Sequence, residues 1–207
     1  EFLPSVDEGR LVQALQRGIN VCDLGCAQGV APILMAEAFP RSRFVGIDLS
    51  AEAIRRATER ATDKGLSNIT FRALDAADPE TWQELEATFD YITAFDAIHD
   101  QSRPQEALQG VYAMLKPGGA FSMVDIAADS QLSENRAHPM GPFLYAVSLM
   151  HCMPVGLVDG GRGLGMMWGR QRAEQMLREA GFDQCRVEPV PEDSFNLHFF
   201  CRKPSAG

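Results

Sequence analysis

The nine residues at positions 21–29, Val-Cys-Asp-Leu-Gly-Cys-Ala-Gln-Gly, restrict the possible folds more than any other part of the chain. An apolar run typical of a buried strand is followed at once by two glycines spaced by four, and a helical pattern begins at the second. Glycine permits a tight turn, and the start of a helix presents unpaired N–H groups with partial positive charge. This order of strand, turn and helix predicts a site for an anionic group such as a carboxylate.

Strand and helix patterns alternate along most of the chain. Strands are predicted at 19–24, 43–49, 69–74, 91–95, 120–126, 185–190 and 196–202, and helices at 29–39, from a cap at Ser50 to 65, and at 79–89, 104–115 and 169–180. The alternation predicts an α/β fold, a Rossmann-like doubly wound sheet of seven strands that is mostly parallel, and the closing hairpin of 185–190 and 196–202 predicts an antiparallel last strand. Residues 127–168 break the alternation and are expected to form a cap-like insertion in a single domain that covers 1–207.

Two acidic residues stand where the second and third predicted strands end. Asp48 follows the second strand and Asp75 the third, so both carboxylates are expected at the same edge of a parallel sheet as the glycine turn. An acid about 20 residues beyond such a turn is typical of a ribose ligand, and the next one is placed to accept a hydrogen bond from an adenine amino group. Either acid alone is equally typical of a helix cap or a surface turn.

Composition narrows the class of partner. The 207 residues carry a formal net charge of -9 and contain no run of lysines or arginines, which argues against nucleic acid as a substrate. The five cysteines are odd in number and lack paired CxxC spacing, so reduced thiols are expected, with no disulfide framework and no metal site. With no apolar run of membrane-spanning length and no signal pattern, the sequence predicts a cytoplasmic protein without a membrane anchor.

These motifs together resemble the class I S-adenosylmethionine-dependent methyltransferases. The glycine motif at 23–29, Asp48 and Asp75 match three of the family's cofactor motifs, residues 89–100 resemble its fourth-strand segment, and Leu-Lys-Pro-Gly-Gly at 115–119 resembles its turn before strand five. The family often has glycine at the position of Ala27. The resemblance implies S-adenosylmethionine as cofactor. The implied cofactor-binding residues are Asp23, Gly25, Cys26, Gly29, Asp48, Leu49, Asp75, Ala76 and Phe95.

Residues 95–101, 151–154 and 163–169 resemble a narrower subfamily with a DAIHDQ-type fourth-strand motif. Its members often carry an N-terminal helical or winged-helix segment, which is compatible with this chain being the C-terminal part of a longer protein. His99 lies in this motif and is the predicted catalytic residue, a base that accepts the acceptor's proton with Asp100 orienting it. The alternative is that His99 only forms part of the pocket wall.

The acceptor is expected to be a small molecule enclosed by the insertion. The predicted substrate contacts are Tyr145, His151 and Trp168, although aromatic and methionine side chains there are also typical of a hydrophobic core. The predicted reaction is methyl transfer from the cofactor sulfonium to an O, N or S atom. Two alternatives remain open on the sequence, a nicotinamide-dependent oxidoreductase and a regulatory module that binds S-adenosylmethionine without turnover.

Overall fold

The computed structural model describes residues 2–205 of the chain. The strands are β1 (Asn20–Leu24), β2 (Arg43–Asp48), β3 (Ile69–Ala73), β4 (Phe89–Phe95), β5 (Leu115–Ile126), β6 (Cys185–Val190) and β7 (Asp193–Arg202). The helices are α1 (Phe2–Ser5), α2 (Arg10–Arg17), α3 (Val30–Ala38), α4 (Ala51–Asp63), α5 (Pro79–Glu84), α6 (Pro104–Met114), α7 (Gly141–Val147), α8 (Met153–Gly156) and α9 (Arg170–Glu179).

The strands form one sheet in the order β3-β2-β1-β4-β5-β7-β6. The first five strands pair in parallel, and β7 pairs antiparallel with both β5 and β6. The predicted fold class is therefore confirmed. The strand order reverses between β1 and β4, and in open α/β sheets the crevice at the carboxyl ends of the strands on either side of such a reversal is the usual ligand site.

The core lies on both faces of the sheet. Neighbouring residues of β1 point to opposite faces: Val21 packs in a cluster with α2 and α3, whereas Cys22 packs in a cluster with α6 and α9. Burial on both faces explains why the parallel strands are continuously apolar in sequence. Two hydrophobic layers therefore fix the strand ends that form the site.

Several element boundaries differ from the sequence prediction, and the two largest differences are at α5 and β5. The helix predicted at 79–89 ends at Glu84, and Phe89 already belongs to β4. Between them Ala87 has φ 47°, a value outside the range of a right-handed α-helix. The N–H of Thr88 donates to the carbonyl of Met114. The turn predicted at 116–119 lies within β5, which starts at Leu115 and has an irregular register against the beginning of β4.

The expectation of five reduced thiols was wrong, because Cys185 and Cys201 form a disulfide. The two residues lie directly opposite each other in the antiparallel pair of β6 and β7, and their Cα atoms are 4.2 Å apart. The pairing depends on strand register rather than on close sequence spacing. Cys22, Cys26 and Cys152 are free and buried.

Residues 127–168 contain α7, a π-helical turn at Ser148–Cys152 and α8. Part of this insertion has its own small core, in which Leu144 and Met167 pack against Ile126 and Ala128 at the end of β5. The insertion is thus attached where β5 ends, beside the crevice. Within residues 2–205, no helix combines the length and the apolar character needed to cross a bilayer.

Candidate active site

Two adjoining cavities lie at the carboxyl ends of β1, β2, β3 and β4. The larger, about 790 Å³, is lined by Gly25, Asp48, Leu49, Asp75, Ala76 and Phe95, among others. The smaller, about 440 Å³, is lined by Asp23, Cys26 and the start of α3, and it shares Gly25, Ala27 and Phe95 with the larger. Eight of the nine predicted cofactor-binding residues therefore line one or both of these adjoining cavities, and Gly29 is the exception.

The glycine turn between β1 and α3 is fixed by backbone hydrogen bonds. The N–H groups of Gly25 and Cys26 both donate to the carbonyl of Ile47 on β2. Gly25 has φ 68°, and a Cβ there would lie 2.5 Å from the Cβ of Ala97, so the turn requires glycine. Gly29 caps α3 at φ 76° and is closed in by the Phe71 ring, so it sets the helix packing and does not line the cavities.

The two strand-end carboxylates face the larger cavity and are already hydrogen-bonded. Asp48 accepts from the N–H of Ser50 at 2.8 Å and from the N–H of Ala27 at 2.9 Å. Asp75 accepts from the N–H of Ala77 at 2.8 Å and pairs with Arg103 at 2.6 Å. Because a carboxylate oxygen has two lone pairs, both acids keep acceptor capacity for ligand hydroxyl or amino groups.

Asp23 lies at the bottom of the smaller cavity and is 3% exposed. Burial raises the pKa of this carboxyl to about 7, although the hydroxyl of Thr93, which donates to it at 2.6 Å, acts in the opposite direction. The negative charge of Asp48 raises the pKa further. A cationic ligand group placed here would favour the ionised carboxylate.

His99 follows β4 and is 2% exposed. Its Nδ1–H donates to Oδ1 of Asp125 at 2.7 Å, and the same oxygen accepts from the Trp168 indole at 3.0 Å and from the N–H of Ile126 at 2.8 Å. Burial lowers the pKa of His99, but the charge and the hydrogen bond of Asp125, with the charges of two other aspartates, outweigh it and raise that pKa above its ordinary value. Asp125 fixes the ring of His99, and Nε2 lies on the side of the ring that faces away from Asp125.

The sequence predicted that Asp100 orients His99, but in the structure Asp125 does so. Asp125 holds Nδ1, whereas Oδ1 of Asp100 lies 3.4 Å from Nε2 of His99. Asp100 also lines the larger cavity, so it stands between His99 and the cofactor crevice. Asp125 could have been found from the sequence by the rule that found Asp48 and Asp75, since it too lies at the carboxyl end of a parallel strand.

The three predicted substrate residues occupy different environments. Trp168 is 2% exposed and positions Asp125, and the exposed ring of His151 lies near Asp100, with 3.8 Å between Nε2 and Oδ2. Tyr145 packs in the core of the insertion, and its hydroxyl accepts a hydrogen bond from Asn135. The insertion contributes Val155, Val158 and Asp159 to the wall of the larger cavity, and sequence reasoning missed these residues because they follow no periodic pattern.

A family model described as "Methyltransferase domain" matches residues 15–181. The chain belongs to this methyltransferase family. The resemblance to class I S-adenosylmethionine-dependent methyltransferases is thereby confirmed, and so are the enzyme class and the cofactor expected from it. The match covers the glycine turn, Asp48, Asp75 and His99, so the cavities described above lie within the matched residues.

Two curated relatives show what this methyltransferase domain is similar to. Erythromycin 3''-O-methyltransferase of Saccharopolyspora erythraea is 28% identical over 91% of this chain, and the chain spans 59% of that protein. Demethylmenaquinone methyltransferase of Listeria monocytogenes is 28% identical over 91% of this chain and 80% of its own length. The chain thus covers less than two thirds of the first of these relatives.

Solved structures support the fold alone. A methyltransferase from Aquifex aeolicus superposes with a TM-score of 0.67 at 16% identity, covering 95% of this chain and 89% of its own. The cyclase SpnF superposes with a TM-score of 0.69 at 17% identity, covering 95% of this chain and 81% of its own. Because a protein named as a cyclase shares the architecture, the fold alone does not determine the chemistry, which depends on the site residues.

Proposed function

We propose that this methyltransferase domain transfers the methyl group of S-adenosylmethionine to an O, N or S atom of a small molecule held between the crevice and the insertion at 127–168. The observation that carries the proposal is that the glycine turn, Asp48 and Asp75 border one cavity at the strand-order reversal. That arrangement offers a fixed backbone turn and two carboxylates to one nucleoside-containing ligand. The insertion completes the wall, so residues 1–207 act as one catalytic domain with a cap.

The chain's residues divide the cofactor between the two cavities. Asp48 and Leu49 would hold the ribose, Asp75 and Ala76 the adenine, and Asp23 with the turn at Gly25 and Cys26 the amino-acid part, with Phe95 bordering both. The bound cofactor supplies an electrophilic methyl group on a sulfonium. The protein's task is then to align the acceptor and to exclude water.

His99 is proposed as the catalytic residue. With Nδ1–H held by Asp125, the lone pair on Nε2 is the one that can act on the acceptor, directed to the side where Asp100 meets the cavity. His151 is proposed to contact the acceptor, while Trp168 acts through Asp125. A substrate contact by Tyr145 stays a prediction.

A small-molecule acceptor is favoured by three observations. The two relatives are named for an antibiotic and a demethylmenaquinone, the cavity is partly walled by the insertion, and the net charge of -9 disfavours nucleic acid. A cytoplasmic location stays a prediction, and the Cys185–Cys201 disulfide argues against the reduced thiols that were expected with it.

The test combines cofactor binding with methyl transfer. Calorimetry is expected to show one S-adenosylmethionine site per chain, and radiolabelled methyl transfer is screened with phenols, aliphatic alcohols, amines and thiols. For the acceptor found, His99→Ala should lower turnover by roughly 10²- to 10⁴-fold with cofactor affinity nearly unchanged. The control is His138→Ala, a histidine bonded to the backbone of Ala127 outside the two cavities.

Absence of cofactor affinity would overturn the proposal entirely. Affinity without transfer to any acceptor class would instead support the regulatory module, and equal turnover in the His99→Ala and His138→Ala variants would remove the catalytic role of His99.

A further inference from the structure

Three potential metal ligands of different chemistry converge next to the cofactor crevice. One ligand atom each from His99, Asp100 and Cys152 lies within 4.8 Å of the others. They come from two segments far apart in sequence, the end of β4 and the π-helical turn Ser148–Cys152 of the insertion. Sequence spacing predicted no metal site because the donors do not form a local motif, and only the fold brings them together.

The second observation concerns how His99 is held. A metal-binding histidine usually donates its other ring N–H to a carboxylate, which fixes the ring and makes the free nitrogen a better donor. Here Asp125 is 1% exposed and accepts from Nδ1 at 2.7 Å, with the Trp168 indole and the N–H of Ile126 on the same oxygen. Nε2 is thereby aimed at Asp100.

The third observation is a buried carboxylate oxygen without a hydrogen-bond partner. Oδ1 of Asp100 is buried and accepts no hydrogen bond within the described chain, although it lies 3.4 Å from Nε2 of His99. Asp96 and Asp125 face the same imidazole, so three carboxylates surround a single ring. Buried acceptors normally have partners, and a cation at this point would provide one.

We propose that His99, Asp100 and Cys152 bind one divalent ion of the zinc class, with a fourth position open towards the cavity. The donor set of imidazole nitrogen, thiolate sulfur and carboxylate oxygen is the one that zinc prefers, and three protein ligands with one open position are typical of catalytic zinc. The separation of 3.4 Å between the nitrogen and the oxygen is close to the edge of a tetrahedron with bonds of about 2.0–2.1 Å. His151 lies beside the open side near Asp100.

This inference rests on the proposed methyl transfer and deepens it. A hydroxyl or thiol of the acceptor that coordinates at the fourth position would release its proton to solvent more readily. The resulting anion would attack the methyl carbon, the carbon–sulfur bond of the cofactor would break, and S-adenosylhomocysteine would leave. Nε2 of His99 would then donate its lone pair to the ion and not take up the acceptor's proton directly.

The experiment uses the metal alone as the probe. The full chain is freed of metal under conditions that keep Cys152 reduced, and Co²⁺ is titrated while the visible and near-ultraviolet spectra are recorded, followed by displacement with Zn²⁺. We expect one ion per chain, d–d bands of a tetrahedral site and a thiolate-to-cobalt charge-transfer band. Cys152→Ala should abolish that band, and Cys26→Ser, which changes a different free buried cysteine, should keep it.

Three aspartate variants test where the ion lies. Asp100→Asn should weaken binding at least 10-fold, and Asp125→Asn should weaken it by roughly 10- to 100-fold through the orientation of His99. Asp96→Asn should weaken binding less than Asp100→Asn does, because Asp96 faces the ring of His99 but is not one of the three ligands. An unchanged far-ultraviolet circular dichroism spectrum and a cooperative urea transition show that each variant is folded.

The proposal is overturned if Co²⁺ gives no thiolate band, if the Cys152 and Cys26 variants behave alike, or if Asp96→Asn abolishes binding while Asp100→Asn does not. Its failure is distinguishable from failure of the proposed function. Methyl transfer by metal-free protein would reject the role of the ion in the reaction and leave the transferase proposal standing. Metal binding without cofactor affinity would reject the transferase proposal and leave the metal site standing.

Discussion

Ala27 adopts a left-handed backbone conformation, which is mostly found at glycine. It is exposed, has φ 46° and gives its N–H to Asp48, so the turn keeps its geometry in spite of the extra methyl group. An L-residue in the left-handed region costs roughly 1–2 kcal/mol, and part of this is offset because glycine loses more chain entropy on folding.

Ala27→Gly should therefore raise the free energy of unfolding by roughly 0.5–1 kcal/mol, measured by urea denaturation. Ala57→Gly is the matched control, because Ala57 is in the middle of α4 and glycine there should destabilise by at least about 0.5–1 kcal/mol. A loss of stability in both variants would show that the turn at Ala27 is not strained.

Asp23 makes stability depend on pH. Its pKa is raised from 3.8 to about 7 in the folded chain, mainly by burial, so the folded state binds the proton more tightly than the unfolded state does. This contribution is fully present below about pH 4 and is lost as the pH rises through about 7.

Asp23→Asn removes this contribution and keeps an oxygen that can accept from Thr93. Between about pH 4 and about pH 7, the wild type should lose up to roughly 4 kcal/mol relative to the variant, measured as the difference between their urea unfolding free energies across that range. Parallel pH profiles for the two proteins would contradict the assignment.

The sequence located individual residues correctly where their position at the end of a strand determines the edge of the sheet on which they lie. Asp48 and Asp75 were found because the carboxyl ends of parallel strands meet at one edge of the sheet. The partner of His99 was not found, because the neighbour in sequence, Asp100, competed with Asp125, which is adjacent only in space. For Tyr145 the sequence left core and pocket open, because aromatic side chains suit both, and the side chain packs against the core of the insertion.

At the scale of elements, the predicted order of strands and helices was confirmed, but the boundaries were less accurate. The helical pattern of residues 79–89 continues into the apolar start of β4, and only the hydrogen bond from Thr88 to Met114 shows where the strand begins. The short helices of the insertion depend on contacts with the end of β5 and have no clear period of their own.

The disulfide between β6 and β7 supports an element at the edge of the sheet. Its cysteines are 16 residues apart, and closing a loop of this size stabilises a protein by about 3 kcal/mol. Treatment with a reductant should therefore lower the free energy of unfolding by about that amount, as measured by urea denaturation with and without the reductant.

Cys185→Ala provides the matched comparison, since this variant should already be destabilised and should respond no further to the reductant. An equal response of both proteins would mean that the reductant acts elsewhere.

For the whole molecule, cofactor binding should be coupled to unfolding. Ligand at 100 times its Kd stabilises a protein that binds it only in the folded state by about 2.7 kcal/mol. S-adenosylmethionine should thus raise the Tm of the wild type, as measured by calorimetry. Asp48→Ala should lower the affinity by roughly 10- to 100-fold and reduce the shift at the same concentration.

Asp63→Ala is the control for that experiment, because Asp63 is an exposed acid at the end of α4, away from the cavities. Equal increases in Tm for the two variants would show that Asp48 does not bind the cofactor.

The position of β7 between β5 and β6 has a consequence for biosynthesis. β5 carries Asp125, yet its neighbour on that side is made of residues 193–202, which leave the ribosome long after β5 does. Until then the nascent chain presents an open strand edge, which is a template for pairing with other chains. Translational arrest before residue 193 should consequently produce aggregation-prone species that depend on chaperones. The segment that the chaperones shield would be β5.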